Sequence, residues 1–275
     1  MTFIDTADVY GREYGLSETL LGNALAGRRE EFVVATKFGH AGIPPSTVPS
    51  WARGGGRADT SVSPSKARSA ACRPTGSTST NSTRPTRTRP SARRSRPSTG
   101  SCARGKVRYI GHSNLPAWQI AEAEFVAREL GTTCFISAQD EYNLLRRGVE
   151  REVLPAVRHL GLGFLPFFPL QNGLLTGKFH RDGNPADTRI MRQRSYLVTD
   201  APWHVLDRYR EFADARGITM LEATFGWLLA QPALSSVIAG ATKPEQIAEN
   251  AAAGGASWRP DAADEQEISE IFAGS

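Results

Sequence analysis

The apolar positions of this chain follow two rhythms, and over one long stretch they vanish. Short runs of strand-forming residues stand at Thr2–Thr6, Phe32–Thr36, Val107–Gly111, Cys134–Ala138, Gly163–Phe167 and Ser235–Ala239. Runs of this kind mark strands buried on both faces. Between them, apolar residues recur at three- and four-residue intervals. That spacing predicts helices at Glu18–Leu25, Ala117–Glu129, Val149–His159, His204–Arg216, Leu221–Ala230 and Pro244–Ala252. Ser17 stands where it can N-cap the first helix, whose apolar face is Leu20, Leu21 and Leu25. Strands alternating with helices imply a parallel sheet or barrel with right-handed crossovers. Polar residues stand at the ends of several strands: Asp5, Lys37, Ser113, Asn114 and Gln139. In a closed α/β barrel those ends converge on one face, where active sites lie.

Residues 52–104 break the pattern. Ser, Thr, Arg, Pro and Gly dominate, and there is no Leu, Ile, Phe, Tyr or Trp. Such a segment cannot bury enough apolar surface to offset its ordering entropy, so disorder is expected over 52–105. It also changes the reading of the net charge of +5. The segment holds twelve basic residues against one acid, Asp59, a net +11; elsewhere 21 basic residues face 27 acidic ones, a net −6. A mildly acidic globular protein carries a basic insert.

The 275 residues suit one α/β barrel domain. No run approaches the roughly 20 apolar residues of a membrane span, and the opening Met-Thr-Phe-Ile-Asp is not a signal peptide. A soluble cytoplasmic protein is expected, with neither membrane nor nucleic acid as partner. Cys72, Cys102 and Cys134 are odd in number and widely spaced. That supports neither a disulfide framework nor a metal site.

The strongest local signal is Phe3-Ile4-Asp5-Thr6-Ala7-Asp8-Val9-Tyr10-Gly11, followed by Ser17-Glu18 and Leu21-Gly22. Then come Ala35-Thr36-Lys37, Gly105-Lys106-Val107-Arg108-Tyr109-Ile110-Gly111-His112-Ser113-Asn114 and Gln139-Asp140-Glu141-Tyr142-Asn143. The stretch from Pro169-Leu170 to Gly177-Lys178 and that from Val237 through Gly240-Ala241-Thr242-Lys243 to Gln246 and Asn250 complete the series. In order and content this series resembles the aldo-keto reductases. Taken singly, Asp5 is a turn residue, Tyr10 a half-buried aromatic, Lys37 a solvated strand end, Ser113-Asn114 a helix cap, Gln139 an edge residue and Phe167 a core aromatic. The collinear set is what gives them another meaning.

The resemblance implies a (β/α)8 barrel and an NADPH-dependent reduction of aldehydes or ketones to alcohols. A tyrosine of ordinary pKa, about 10, is a slow acid near neutrality. A neighbouring lysine cation lowers that pKa, and a carboxylate can hold the lysine. The resemblance makes Tyr10 the proton donor, Lys37 its tuning partner and Asp5 the orienting carboxylate. It puts Ser113, Asn114 and Gln139 on the nicotinamide carboxamide and Phe167 on the nicotinamide ring, with Pro169 and Leu170 also at the cofactor. Gly240, Thr242, Lys243, Gln246 and Asn250 fall where the adenosine 2′-phosphate is held, Lys243 favouring NADPH over NADH. No metal is implied.

Two departures stand out. The family's barrel begins with a strand and helix that would precede Met1, so the first β/α unit is expected to be missing. The family also has a strand ending Asp-Leu-Tyr-Gln-Leu-His, whose histidine is its fourth catalytic residue; no histidine occurs in 52–104. With that strand missing too, the barrel is expected to be incomplete, with six of eight strands. The genetic code suggests a cause. With TCN serine codons, the frame built from the last base of one codon and the first two of the next allows Val, Ile or Leu and then Asp-Leu-Tyr-Gln-Leu-His over Ser77–Thr83. The same frame allows Leu-Asp-Gly-Leu-Val-Arg-Glu-Gly over Ser98–Gly105. Compensating indels near Arg53–Val62 and near Gly105 account for both. Unpaired strand edges at the two gaps lead one to expect low stability, aggregation and little turnover from the chain as written. Two other readings remain at this point: a non-catalytic, nucleotide-binding relative, and nucleic-acid binding through the Arg-rich segment.

Overall fold

The computed structural model describes residues 2–38, 78–83, 107–181 and 188–273. The chain forms two compact units: Met1–Gln139 with Glu152–Gly163, and Asp140–Arg151 with Phe164–Ser275. The expected disorder of 52–105 falls outside the described residues except at 78–83, as do Cys72, Cys102 and His40.

Six strands run in chain order through one sheet: β1 (Phe3–Asp5), β2 (Val33–Phe38), β3 (Thr78–Thr83), β4 (Tyr109–Ser113), β5 (Ser137–Glu141) and β6 (Gly163–Phe167). Each pairing from β1 to β5 is parallel, with Asp5 opposite Ala35, Lys37 opposite Asn81, Thr83 opposite Ser113 and Ser113 opposite Gln139. At the start of β6, Gly163 N–H donates to the Ile136 carbonyl (2.9 Å). The expected α/β class with a parallel sheet is what the structure has.

The strand expected to be missing from the middle of the sheet is present. β3 lies between β2 and β4, in register with both, and its sequence is Thr-Ser-Thr-Asn-Ser-Thr. The reason is that a parallel ladder recognises backbone. β2 and β4 each present a row of N–H and C=O groups, and any extended segment of fitting length can pair with them. Threonine is also a good strand residue. A criterion that looked for apolar residues passed over it.

Other expectations shift. Ser17 does not cap the first helix, α1 (Leu16–Ala24). Gly15 occupies the N-cap position in the left-handed conformation (φ 77°), while the Ser17 hydroxyl is 2.8 Å from that of Thr6. β4 and β5 lie two and three residues further along than Val107–Gly111 and Cys134–Ala138, because the ladder continues onto the polar ends Ser113 and Gln139. α2 (Ala117–Glu129) has the expected bounds. The expected helix at Val149–His159 divides into a short 3-10 turn, Gly148–Glu150, and α3 (Val153–His159).

Ser235–Ala239, expected as a strand, forms none; Leu234 just before it makes an isolated parallel bridge to Phe164. Ser235 N–H donates to Phe164 O (2.9 Å), and the next bond is Ile238 N–H to Pro166 O (3.2 Å). Position 166 is the next bridging residue of β6, and a proline has no N–H to contribute, so the ladder stops there.

In the second unit, α4 (Arg189–Arg194), α5 (Tyr196–Thr199), α6 (Trp203–Ala215), α7 (Met220–Ala230), α8 (Pro244–Gly255) and α9 (Ala262–Ile271) follow β6. Thr219 and Glu222 form a capping box on α7, Asp261 and Asp264 one on α9. Tyr142, buried, packs against Phe164 and Trp227 with ring centroids 5.9 and 5.3 Å away. Its hydroxyl donates to Glu150 (2.8 Å), which also accepts from Arg147 Nε (2.8 Å). No helix among the described residues is long and apolar enough to cross a membrane.

In the first unit, His112 on β4 is fully buried, with its ring edge-on to Phe135 (5.4 Å between centroids). Neither ring nitrogen has a hydrogen-bond partner among the described residues. Burial alone pushes its pKa down from 6.5 to about 4.

Two predictions follow from this packing. A Cβ on Gly226 in α7 would stand 2.5 Å from the Trp258 ring and 2.9 Å from its carbonyl oxygen. Gly226→Ala is therefore expected to cost about 1–3 kcal/mol in denaturant unfolding, while Gly254→Ala in α8, where a Cβ meets nothing within 4 Å, is neutral or slightly stabilising. The second concerns pH. The fold holds His112 neutral, so its contribution is complete above pH 6.5, where the unfolded chain is neutral too. It is lost as the pH falls from 6.5 towards about 4. Over that window the native protein should lose on the order of 3 kcal/mol more than His112→Leu does. Parallel unfolding curves for the two proteins would show that burial does not hold this imidazole neutral.

Candidate functional site

The first unit gathers six of the expected site residues at the ends of β1, β2, β4 and β5. Asp5 is opposite Ala35, and Lys37 is two residues further along β2. Strand side chains alternate faces, so Asp5, Ala35 and Lys37 share one face. After β1 the chain keeps alongside β2, with Thr6 N–H donating to Ala35 O (2.8 Å) and Asp8 N–H to Lys37 O (3.1 Å). Lys37 Nζ donates to Asp5 Oδ2 and to the Thr6 carbonyl (2.9 Å). The second Asp5 oxygen accepts from Gln139 Nε2 (3.0 Å). Both side chains of the ion pair are buried, at 5% and 6% exposure. Burial pulls the Lys37 pKa below the ordinary lysine value, opposed by the charge and hydrogen bond of Asp5 and by the charge of Asp8.

Tyr10 lies in the turn after β1, 44% exposed, and its ring centroid is 5.1 Å from Lys37 Nζ. Two backbone bonds hold the turn: Tyr10 N–H to Ala7 O (3.1 Å) and Ser17 N–H to Tyr10 O (3.1 Å). Gly11 has φ +116°, and a Cβ there would meet Leu16 Cβ at 3.0 Å, so the turn requires glycine. Asp5, Tyr10 and Lys37, distant in sequence as a pair of motifs, are thus neighbours.

Two further hydrogen-bonded pairs in this unit were not assigned roles from sequence. Tyr14 donates its hydroxyl proton to Asp8 Oδ2 (2.5 Å). Thr36 donates to Glu18 Oε1 (2.5 Å), both side chains being buried. The signal for Glu18 was in the sequence: a carboxylate within an otherwise apolar helix face must find a donor when buried. Tyr14 had no comparable signal.

The nicotinamide trio expected from sequence is also assembled within this unit. Asn114, in the left-handed conformation (φ 57°), follows β4. Its N–H donates to Gln139 O (3.2 Å), and its side-chain amide donates to Ser113 Oγ (2.9 Å). Gln139, expected at the cofactor, spends its amide nitrogen on Asp5; its amide oxygen remains to accept.

The remaining expected residues belong to the second unit, in two sets. Phe167 ends β6, edge-on to Phe168 (5.3 Å between centroids), with Pro169 buried and Leu170 half-buried after it. The other set surrounds the start of α8. Lys243 is its N-cap residue and Pro244 its first residue, the arrangement that leaves helix N–H groups facing outward. Gln246 Oε1 accepts from the Thr242 N–H (2.8 Å) and its hydroxyl (3.1 Å), closing the loop after Gly240. Asn250 stands one turn beyond Gln246 on the same helix. Lys243 is exposed, with no ion-pair partner among the described residues.

Comparison with known proteins follows the same outline. The chain matches the family model for the aldo/keto reductase family over residues 1–69 and 101–271, leaving out the interval that contains β3. It is 30% identical over 256 residues to the uncharacterized oxidoreductase YrpG of Bacillus subtilis, covering 89% of this chain and 75% of that protein. It is 36% identical over 152 residues to a probable voltage-gated potassium channel subunit beta of rice, Oryza sativa subsp. japonica (53% of this chain, 46% of that one). It is 33% identical over 156 residues to the NADH-specific methylglyoxal reductase of Escherichia coli (55% and 45%). Apart from YrpG, these matches span about half of the relative's own length. The family match covers most of the chain, and the chain belongs to the aldo/keto reductase family.

Proposed function

We propose that this protein is an NADPH-dependent carbonyl reductase in which Tyr10 gives the proton to the carbonyl oxygen. The observation that carries this reading is the dehydrated Lys37–Asp5 ion pair beneath the Tyr10 ring. Lys37, fixed by Asp5 and the Thr6 carbonyl, places a cation beside the phenol and favours its phenolate. That brings the phenol's pKa down towards the working pH, where an acid transfers its proton most effectively. Asp5 holds the ammonium in place, and Gln139 holds Asp5.

The residues present fit a nicotinamide dinucleotide. Each unit taken by itself offers groups suited to part of it: in the first, Ser113 Oγ and the spare Gln139 oxygen match a carboxamide; in the second, the α8 N-terminus with Lys243 offers positive charge for a phosphate. When bound, the dihydronicotinamide supplies the hydride. The unpaired Lys243 favours the 2′-phosphate and hence NADPH, although one relative is by name NADH-specific.

We also read 52–105 as a frame-shifted stretch within the reductase gene. Two findings support that reading. The family match omits residues 70–100, and β3 coincides with the six residues whose alternative frame spells Asp-Leu-Tyr-Gln-Leu-His. The histidine of that frame falls at Thr83, opposite Ser113 in the ladder. The chain as written then works with Tyr10 and Lys37 and without an imidazole.

The test is NADPH oxidation with small aldehydes, alongside NADPH binding by fluorescence. Tyr10→Phe should reduce turnover by about 10²-fold or more and leave NADPH affinity unchanged. Binding with no turnover in the native chain would instead favour a non-catalytic nucleotide-binding protein. Thr83→His should raise kcat. In the native protein the alkaline limb of kcat/KM should lie below the ordinary lysine range, as the lowered Lys37 pKa requires. In Asp5→Asn, which removes the charge that raises that pKa, the limb should move lower still. Lys243→Ala should weaken NADPH binding roughly three- to tenfold without affecting NADH.

A further inference from the structure

Asp8, 1% exposed, is a buried carboxylate two residues before Tyr10. Burying a carboxylate is costly unless donors and a cation meet it. An apolar residue at this position would avoid that cost altogether. What the carboxylate does there follows from three observations.

First, Asp8 closes the turn that carries Tyr10. Its N–H donates to the Lys37 carbonyl (3.1 Å), which ties it to β2. Its carbonyl accepts from Gly15 N–H (2.7 Å), where the chain enters α1. Its side chain accepts from the Tyr14 hydroxyl at 2.5 Å. One residue thus holds both ends of the turn. Between them lies Gly11, with φ 116°. Glycine frees the backbone, so the position of Tyr10 depends on how firmly those ends are held.

Second, Asp8 supplies charge. Lys37 is desolvated, and Asp5 and Asp8 are the two carboxylates whose charges oppose that effect. Asp5 adds a hydrogen bond to Lys37, and Asp8 acts through its charge. The Tyr10 phenol is the other titratable group beside the lysine among the described residues, and Gln139, bonded to Asp5, is neutral. Charges act on one another more strongly in such a dehydrated place than in water.

Third, Tyr14 keeps the carboxylate oriented. A phenol that donates to a carboxylate favours its ionised form, and charge-assisted bonds of this kind are the strong ones. Tyr14 is half-buried on the far limb of the same turn, outside the series of motifs that marks the family.

We infer that Asp8 and Tyr14 are positioning residues of the proton-transfer site: Tyr14 fixes the Asp8 carboxylate, and Asp8 holds the turn bearing Tyr10 and supplies a second negative charge to Lys37. This rests on the reading of Tyr10 as the proton donor and Lys37 as its partner.

The experiment combines NADPH oxidation with small aldehydes across pH and an NMR titration of Lys37 in the full chain, its signal identified with Lys37→Arg. Asp8→Asn keeps the shape and an acceptor for Tyr14 but removes the charge. The Lys37 titration and the alkaline limb of kcat/KM should both move to lower pH than in the native protein, by less than in Asp5→Asn. Tyr14→Phe keeps the ring and removes the hydroxyl. It should lower kcat about three- to tenfold, with KM for the aldehyde and affinity for NADPH unchanged. An unmoved Lys37 titration in Asp8→Asn, or native kcat in Tyr14→Phe, overturns the inference. So does a fall in kcat matched by weaker NADPH binding, the mark of general loosening. If Asp8→Asn fails to fold, Tyr14→Phe decides alone. A native chain without turnover, in which Asp8→Asn still moves Lys37, would sink the reductase reading and leave the link from Asp8 to Lys37 standing. Tyr10-dependent turnover with Lys37 unmoved would sink this inference alone.

Discussion

The Lys37–Asp5 ion pair is the constraint around which the first unit is arranged. Removing two charges from water is costly, and their mutual attraction offsets that cost only when the remaining donors and acceptors are also met. Here they are met from four places in the chain. Asp5 ends β1, Lys37 belongs to β2, the Thr6 carbonyl follows β1, and the Gln139 amide comes from β5. The β1–β2 register puts both side chains on one face. A slip of one residue would turn Lys37 to the other face and leave Asp5 a buried, unpaired carboxylate. The site thus depends on the sheet's register, and the sheet's register is in turn penalised for any error by the site.

The same unit holds other buried carboxylates, Glu18 and Asp8, and each meets a hydroxyl, that of Thr36 or Tyr14. Asp8 also acts on Lys37 through its charge, in the direction that keeps the lysine cationic. His112 shows the opposite solution in the same unit. Among the described residues no donor or acceptor meets it, and burial favours its neutral form. Burial lowers the pKa of both Lys37 and His112, and only at Lys37 do neighbouring carboxylates oppose it.

Much of this was legible in the sequence, for reasons that differ by residue. Ala117–Glu129 could be read to the residue because its apolar periodicity begins just after Pro116 and ends at Gly131. Asp5, Tyr10 and Lys37 could be read because a series of motifs in order is far more specific than any one of them. The failures share a cause, which is competition from a partner that local sequence does not contain. Ser17 was diverted to Thr6 while Gly15 took the cap position. Ser235–Ala239 has good strand residues, but its ladder fails at Pro166, some seventy residues earlier in the chain. α9 was passed over because its helix carries few apolar residues, yet Ile268, Ile271 and Phe272 form a stripe that is buried. The turn at Gln171–Asn172 adopts positive φ without glycine, which only the buried Asn143 bridge explains.

β3 shows what a sheet does and does not ask of a sequence. Reading Asp-Leu-Tyr-Gln-Leu-His codons out of frame yields serine, threonine and asparagine, because CTC and TAC share their last two bases with the start of TCN and ACN codons. On the frame-shift reading, the substituted strand is therefore rich in threonine and free of proline, and both properties permit pairing. What the shift removes is the apolar side chain at every second position. Backbone pairing contributes little net stability once exchange with water is counted. Burial of apolar surface contributes most of what holds a strand in a core. On that reading such a strand preserves the ladder between β2 and β4, and with it the spacing that brings Lys37 and Ser113 to one edge, so the site's geometry can outlast the histidine.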